Sequence, residues 1–165
     1  MRIVVTGAAG KIGREIIEDL SDSHELILID RKSHSFIGSL KARAWKKAMN
    51  GAEVIVHLAE DPDQNAPHRQ VLENNIQATW NVFHAAATHK VRRVVYASSK
   101  WAVKLVEQQL SPGCYSDSGQ KITSDAYPRP KNPYGIGKAF GELTGQMLYR
   151  HGLVGFVSSG SHGMF

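Results

Sequence analysis

Thr6-Gly7-Ala8-Ala9-Gly10-Lys11-Ile12-Gly13 joins an apolar, β-branched run, Arg2–Thr6 (RIVVT), to residues 10–21, which carry Ile12, Ile16, Ile17 and Leu20 at helical spacing. Each glycine has a task in such a strand–turn–helix unit. Gly7 permits the tight turn, Gly10 lets backbone approach a pyrophosphate, and Gly13 lets the helix pack close to the sheet. The helix start then offers unpaired N–H groups to phosphate oxygens, Lys11 and Ile12 among its first residues. A glycine pattern alone is a weak signal. Its position directly after a strand and at the opening of a helix is the context that a dinucleotide site requires. A Walker A loop is excluded, because Ile12 follows Gly10-Lys11 and Val5 stands where that loop needs its first glycine.

The second strand, 25–30 (ELILID), ends on Asp30, 17 residues after Gly13. An acidic residue about 20 residues on accepts hydrogen bonds from the adenosine ribose. A carboxylate there repels the extra phosphate of NADP, so NAD is favoured over NADP, although Arg31 could pair with such a phosphate. Residues 53–58 (EVIVHL), 93–97 (RVVYA) and 153–157 read as three further strands. Residues 41–50, 68–89 and 134–150 read as helices. Within 68–89 the apolar positions are Val71, Leu72, Ile76, Val82, Phe83 and Ala86. Residues 107–133 hold four of the six prolines and read as one long loop, a length usually reserved for function. The alternation predicts an α/β fold, a doubly wound parallel sheet, as a single dinucleotide-binding domain over 1–165.

Composition narrows the class. At 165 residues and 42% hydrophobic, the chain can bury one domain's core, and no apolar run approaches the length of a membrane span. The N-terminus lacks a signal peptide's long apolar stretch, and the single Cys114 can form no internal disulfide, so a cytoplasmic protein is expected. The net charge of +5 comes from scattered clusters, Lys46-Lys47, Arg92-Arg93 and Arg129/Lys131. That suits an anionic small ligand better than nucleic acid. No metal is expected: His84 and His89 are five residues apart rather than four, and no Cys or carboxylate completes a set. His57 reads as a satisfied core histidine, and Trp45 and Trp80 as packing residues.

Three Tyr-x-x-x-Lys matches compete. Tyr96/Lys100 lies in a strand, where four residues span about 13 Å. Tyr127/Lys131 is interrupted by Pro128 and Pro130, which forbid a regular helix. Tyr134/Lys138 follows Pro133 at a helix start, and a rise of about 6 Å puts both side chains on one face. An ammonium beside a phenol favours the phenolate, which makes Tyr134 a general base. Gly135 and Gly137 weaken this helix, so packing must hold it. Ser98-Ser99 ends the fourth strand, where open α/β sheets bind ligands, and a Ser hydroxyl there can orient a substrate oxygen.

TGAAGKIG at the start, VIVHLA at 54–59, NNIQATWNVFHAA at 74–86, VVYASS at 94–99 and NPYGIGKAFGE at 132–142 together resemble the extended short-chain dehydrogenase/reductase family, also called the NAD-dependent epimerase/dehydratase family. HLAEDPDQNAP, the ASS segment and RPKNPYGIGKAFGE are most similar to its uronate dehydrogenase and sugar dehydrogenase branch. The resemblance implies Ser99, Tyr134 and Lys138 as the catalytic set, with Lys138 also holding the nicotinamide ribose. It implies Leu58 and Ala59 lining the cofactor, and Asn75 supporting the nicotinamide site. Lys100-Trp101 replaces the branch's usual Asn-His, so Lys100 could meet a substrate carboxylate or phosphate. Gly38-Ser39-Leu40 replaces the usual adenine-contacting Asp, and Gly160-Ser161 resembles the start of a substrate-side loop, which makes Ser161 a substrate contact.

The resemblance implies a longer protein with a C-terminal substrate-binding part and, as in many members, a homodimer through helices 68–89 and 134–150. It predicts an NAD-dependent oxidoreductase acting on a sugar or sugar acid. A nucleotide-sugar epimerase or dehydratase, and a non-catalytic NAD-binding module, are the alternatives.

Overall fold

The computed structural model describes residues 1–30, 48–123 and 126–159. Five strands, β1 (Arg2–Thr6), β2 (Glu25–Ile29), β3 (Val54–His57), β4 (Arg93–Ala97) and β5 (Gly155–Ser159), form one parallel sheet ordered β2-β1-β3-β4-β5. The described helices are α1 (Lys11–Leu20), α2 (His68–Val71), α3 (Ala78–Thr88), α4 (Lys104–Leu110) and α5 (Pro133–Arg150). A π-type stretch, Leu72–Gln77, joins α2 to α3, so 68–88 is helical throughout. The chain leaves β1 for β2 on one side and returns to β3 on the other, which opens a crevice at the carboxyl ends of β1 and β3.

Alternation along the strands divides the core into two layers. Ile3, Val5, Val54 and Val56 pack with Ile16, Ile17 and Leu20 of α1. Val4, Ile55 and Val94 face the other way, toward Val82, Phe83 and Leu148 of α3 and α5. Thr6, His57 and Tyr96 continue this second face at the carboxyl ends. They stand in register, Thr6 opposite His57 and His57 opposite Tyr96.

Helix α5 shows how a glycine-rich segment is held. Asn132 caps it by accepting the Gly135 N–H at 2.8 Å, with Pro133 in the first turn. A Cβ at Gly137 would lie 2.9 Å from Asn75 Cβ, one at Gly141 would lie 2.3 Å from Tyr96 Cζ, and one at Gly145 would lie 2.1 Å from Phe156 Cε2. The helix therefore rests directly on its neighbours, and close contact offsets its poor intrinsic propensity.

Several expectations need correction. The fifth strand is two residues later than the apolar run 153–157 suggests. The 107–133 stretch is not a continuous loop: α4 enters it as far as Leu110, and a 3-10 turn spans Gly113–Tyr115. Ile12 (55% exposed), Leu72 and Trp80 do not pack in the core. Ile12 and Leu72 stand at helical spacing, as read, but all three fall on the solvent side of their helices. Arg31, Gly38-Ser39-Leu40, Trp45, Lys46-Lys47 and Gly160-Ser161, with most of the 41–50 helix, lie outside the described residues.

Candidate functional site

The glycine turn is built as a cradle. Gly7 has φ +72°, and a Cβ there would lie 2.8 Å from Ala59 N and Leu58 C. Its left-handed backbone and the close approach of the β3 loop both call for glycine. A Cβ at Gly13 would meet Gly7 O at 2.4 Å, and one at Gly10 would meet the same oxygen at 3.1 Å. No side chain caps the start of α1, Gly10 stands at its N-cap, and Lys11 and Ile12 are exposed. The first-turn N–H groups are thus left for a ligand, and the cradle fits a pyrophosphate. Asp30 closes the turn from β2, its Oδ2 accepting the Ala9 N–H at 2.8 Å.

Leu58 and Ala59 follow β3 beside Gly7, and both donate N–H to Thr6 Oγ1, at 3.2 and 3.3 Å. Asn75 is fully buried. Its Oδ1 accepts the Asp61 N–H at 2.9 Å and its Nδ2 donates to Asp61 O at 3.0 Å. Asn75 thus ties the 58–61 loop to the helix that supports α5 at Gly137.

Lys138 reaches inward from α5. Its Nζ donates to Ala97 O, forms an ion pair with Glu60 Oε2 at 2.9 Å, and lies 5.6 Å from the Tyr134 ring centre. The lysine and glutamate side chains are only 5% and 4% exposed. Tyr134 and Lys138 therefore share one face, as the spacing predicts. Glu60 follows Ala59 directly, so the pair stands at the same end of the sheet as the glycine turn.

Ser98 and Ser99 divide their tasks. Ser98 donates to Glu142 of α5, whereas Ser99 Oγ accepts the Trp101 N–H at 3.3 Å and caps the Lys100–Val103 turn. Lys100 is exposed at the start of that turn. Ser161 lies outside the described residues.

His57 is the satisfied core histidine expected from the sequence, whereas the polar chain it joins, through Thr6, Thr79, Glu60 and Tyr96, was not read. His57 Nδ1 meets Thr6 Oγ1 at 2.7 Å and its Nε2 meets Thr79 Oγ1 at 3.0 Å. Burial, with the Lys138 charge second, depresses His57 to about 3, so the ring is neutral. Tyr96, set aside as a strand residue, donates its hydroxyl to Glu60 Oε1. Burial first, and then the Glu60 charge, pushes the Tyr96 phenol well up. Burial also raises Glu60, against the opposing pull of Lys138 and hydrogen bonds from Tyr96, Lys138 and Thr79. Glu60 was legible in one respect: it sits just past the end of β3, where the rule that selects Ser98-Ser99 applies equally. Among the described residues, no three His, Cys, Asp or Glu side chains gather as a metal site, and no helix is long and apolar enough to cross a membrane.

Comparison with known proteins agrees with this geometry. Residues 3–155 match the family described as the NAD dependent epimerase/dehydratase family. An L-arabinose 1-dehydrogenase (NAD(P)(+)) of Haloferax volcanii is 34% identical, over 92% of this chain and 63% of its own length. An NAD-dependent glucose-6-phosphate dehydrogenase of the same organism is 32% identical, over 90% and 63%. Among solved structures, a mutated uronate dehydrogenase superposes with a TM-score of 0.71 at 30% identity, covering 92% of this chain and 55% of that one. The chain spans roughly three-fifths of the length of these relatives.

Proposed function

Because the chain belongs to the NAD dependent epimerase/dehydratase family, we propose that residues 1–165 act as one dinucleotide-binding domain of an NAD-dependent sugar oxidoreductase. The observation that carries this reading is the junction of two features at one end of the sheet: a side-chain-free cradle at Gly7, Gly10 and Gly13, and the Tyr134–Lys138 face of α5. NAD, when bound, supplies the hydride acceptor. The backbone of Lys11, Ile12 and Gly13 holds its pyrophosphate, Asp30 holds the adenosine ribose, and Leu58, Ala59 and Asn75 shape the middle of the crevice. Lys138 holds the nicotinamide ribose. Tyr134 takes the proton from the substrate hydroxyl, and the Lys138 ammonium stabilises the phenolate that does so. Ser99 orients the substrate oxygen once its hydroxyl turns from the Trp101 N–H. Asp30 favours NAD over NADP, since an anionic side chain repels a second phosphate.

The substrate is proposed to be an aldose, a uronic acid or a sugar phosphate, as the relatives' names suggest. Exposed Lys100 is suited to the acidic members of that set, with Ser161 as a further contact. Exposed apolar side chains on both long helices, Trp80 and Ile136, Leu143 and Met147, support a homodimer through those helices. The lone Cys114 is consistent with the cytoplasm.

The test is to supply NAD with a panel of aldoses, uronic acids and aldose phosphates and follow NADH absorbance. Turnover is expected, and Tyr134→Phe should lower it by about 10²–10⁴-fold, the usual contribution of a positioned base. NAD binding without turnover on any substrate would remove the dehydrogenase reading and leave a binding module. NADH formed and retained without release would point instead to an epimerase or dehydratase.

A further inference from the structure

Glu60 is the least expected group in the site. Its side chain is 4% exposed, and it takes hydrogen bonds from Tyr96, Lys138 and Thr79. The Lys138 ammonium stands 2.9 Å from its Oε2. Its Oε1 is fixed by the Tyr96 hydroxyl, and Tyr96 is fully buried under Gly141. The carboxylate is thus locked on one side by a rigid ring of β4 and meets the lysine on the other. Lys138 is held from two directions, by Glu60 and by Ala97 O. An ammonium has three N–H groups, so this arrangement leaves it a limited set of outward directions.

We infer that Glu60 is a positioning residue: together with the Ala97 carbonyl it fixes the Lys138 ammonium so that the remaining N–H is presented to the nicotinamide ribose. The inference rests on the cofactor reading of Lys138 given above. A flexible lysine would lose rotamer freedom on each binding event. A lysine already held by a buried carboxylate has lost it in the folded chain, and binding is stronger for it. The arrangement also makes cofactor affinity depend on the ionisation of Glu60. The titratable groups facing the pair are His57 of β3, Tyr96 of β4, and Tyr134 and Glu142 of α5. Lys100 stands on the turn packed beside α5, and Lys104 opens the helix that follows that turn. His57 stays neutral at ordinary pH and Tyr96 stays protonated, so within this group Glu60 is the carboxyl in direct contact with the amine.

The experiment is NADH binding to the intact chain, read by NADH fluorescence over a range of pH, with Glu60→Gln as the main variant. Glu60→Gln keeps the shape and removes the charge. It is expected to weaken NADH binding about tenfold, the scale of one charge-assisted contact partly lost. It should also abolish the weakening that the parent shows as pH falls through the titration of Glu60. A merely structural role would not move that pH dependence. A folded Glu60→Gln protein that binds NADH as tightly as the parent overturns the inference and leaves the cofactor reading standing. A parent chain that binds no NADH removes the cofactor reading and this inference with it.

Should Glu60→Gln fail to fold, the parent alone decides. Its Lys138 ammonium should give a slowly exchanging ¹H–¹⁵N signal that moves with the ¹³C shift of the Glu60 carboxyl. The E60Q/K138M double variant, which leaves neither charge unpaired, assigns that signal. Absence of the signal while Glu60 is ionised overturns the inference.

Discussion

Glu60 and Glu107 are each met by a lysine and a tyrosine, yet their carboxyls shift in opposite directions. Glu60 pairs with Lys138 and accepts from Tyr96, and its affinity for a proton is raised by burial. Glu107 pairs with Lys104 at 2.6 Å and accepts from Tyr115, and its affinity is lowered by the hydrogen bonds from Lys104 and Tyr115. Glu60 has a further hydrogen bond, from Thr79, and is still raised, so depth decides. Glu107 is covered in part by Tyr115, which is itself 67% exposed. Its low accessibility is a thin cover, and the partners outweigh the lost hydration. Glu60 lies beneath a helix and against a sheet, where removing water from a charge costs more than one lysine returns.

The strongest way to break this comparison is to remove each lysine. Lys138→Met leaves the Glu60 carboxylate buried without its cation, and a loss of about 3–5 kcal/mol is expected from urea unfolding at neutral or alkaline pH. The folded-state pKa of Glu60 is raised. Its favourable contribution is therefore complete below the unfolded value and disappears as pH rises through the folded one. The loss in Lys138→Met should accordingly shrink in acid. A loss as small as that of a surface ion pair would mean that Glu60 is not deep in the electrostatic sense.

His57 sharpens the contrast, because it shares the Thr79 end of the same polar chain. Its folded value is depressed from 6.5 to about 3. The unfolded chain therefore takes up a proton first as pH falls. Stability should decline by about 1.4 kcal/mol per pH unit below that 6.5. His57→Gln, which stays uncharged, should flatten this limb in thermal melts between neutral and mildly acid pH.

The smallest effect is expected at Glu107. Glu107→Gln should cost under about 1 kcal/mol at neutral pH, in keeping with a shallow pair. Its folded value is lowered, so the contribution exists above the unfolded value of 4.5 and vanishes as pH falls through the folded one. Parent and variant should melt together in strong acid. If Glu107→Gln instead matched Lys138→Met, depth would not be what separates the two sites.

The fold was legible because apolar runs and glycine turns are local signals. TGAAGKIG and the runs 2–6, 25–30, 53–58 and 93–97 need no tertiary information to be read as strand, turn and strand, each within a residue of its observed ends. The Tyr134–Lys138 face was legible for the same reason, since four residues on a helix fix it. Glu60 was not read, because an acidic residue after a strand ordinarily begins a wet loop. Its burial is decided by a helix more than seventy residues later. Tyr96 was set aside for a similar reason: its partner comes from another strand's loop, which spacing along the chain cannot reveal. Trp80 shows the converse error, a helical ring read as a packing residue and found 45% exposed.

The bare stripe on α5 has a mechanical consequence. Gly137, Gly141 and Gly145 let that helix seat on Asn75, Tyr96 and Phe156 with no side chain of its own in between. A methyl added at Gly145 would push against Phe156, about 10 Å along the axis from Lys138. With the other two seats still in place, the rod would pivot rather than lift. The retained seats at Gly137 and Gly141 bracket Lys138, so the amine would stay nearly in place while the carboxyl end of the rod tips away from β5.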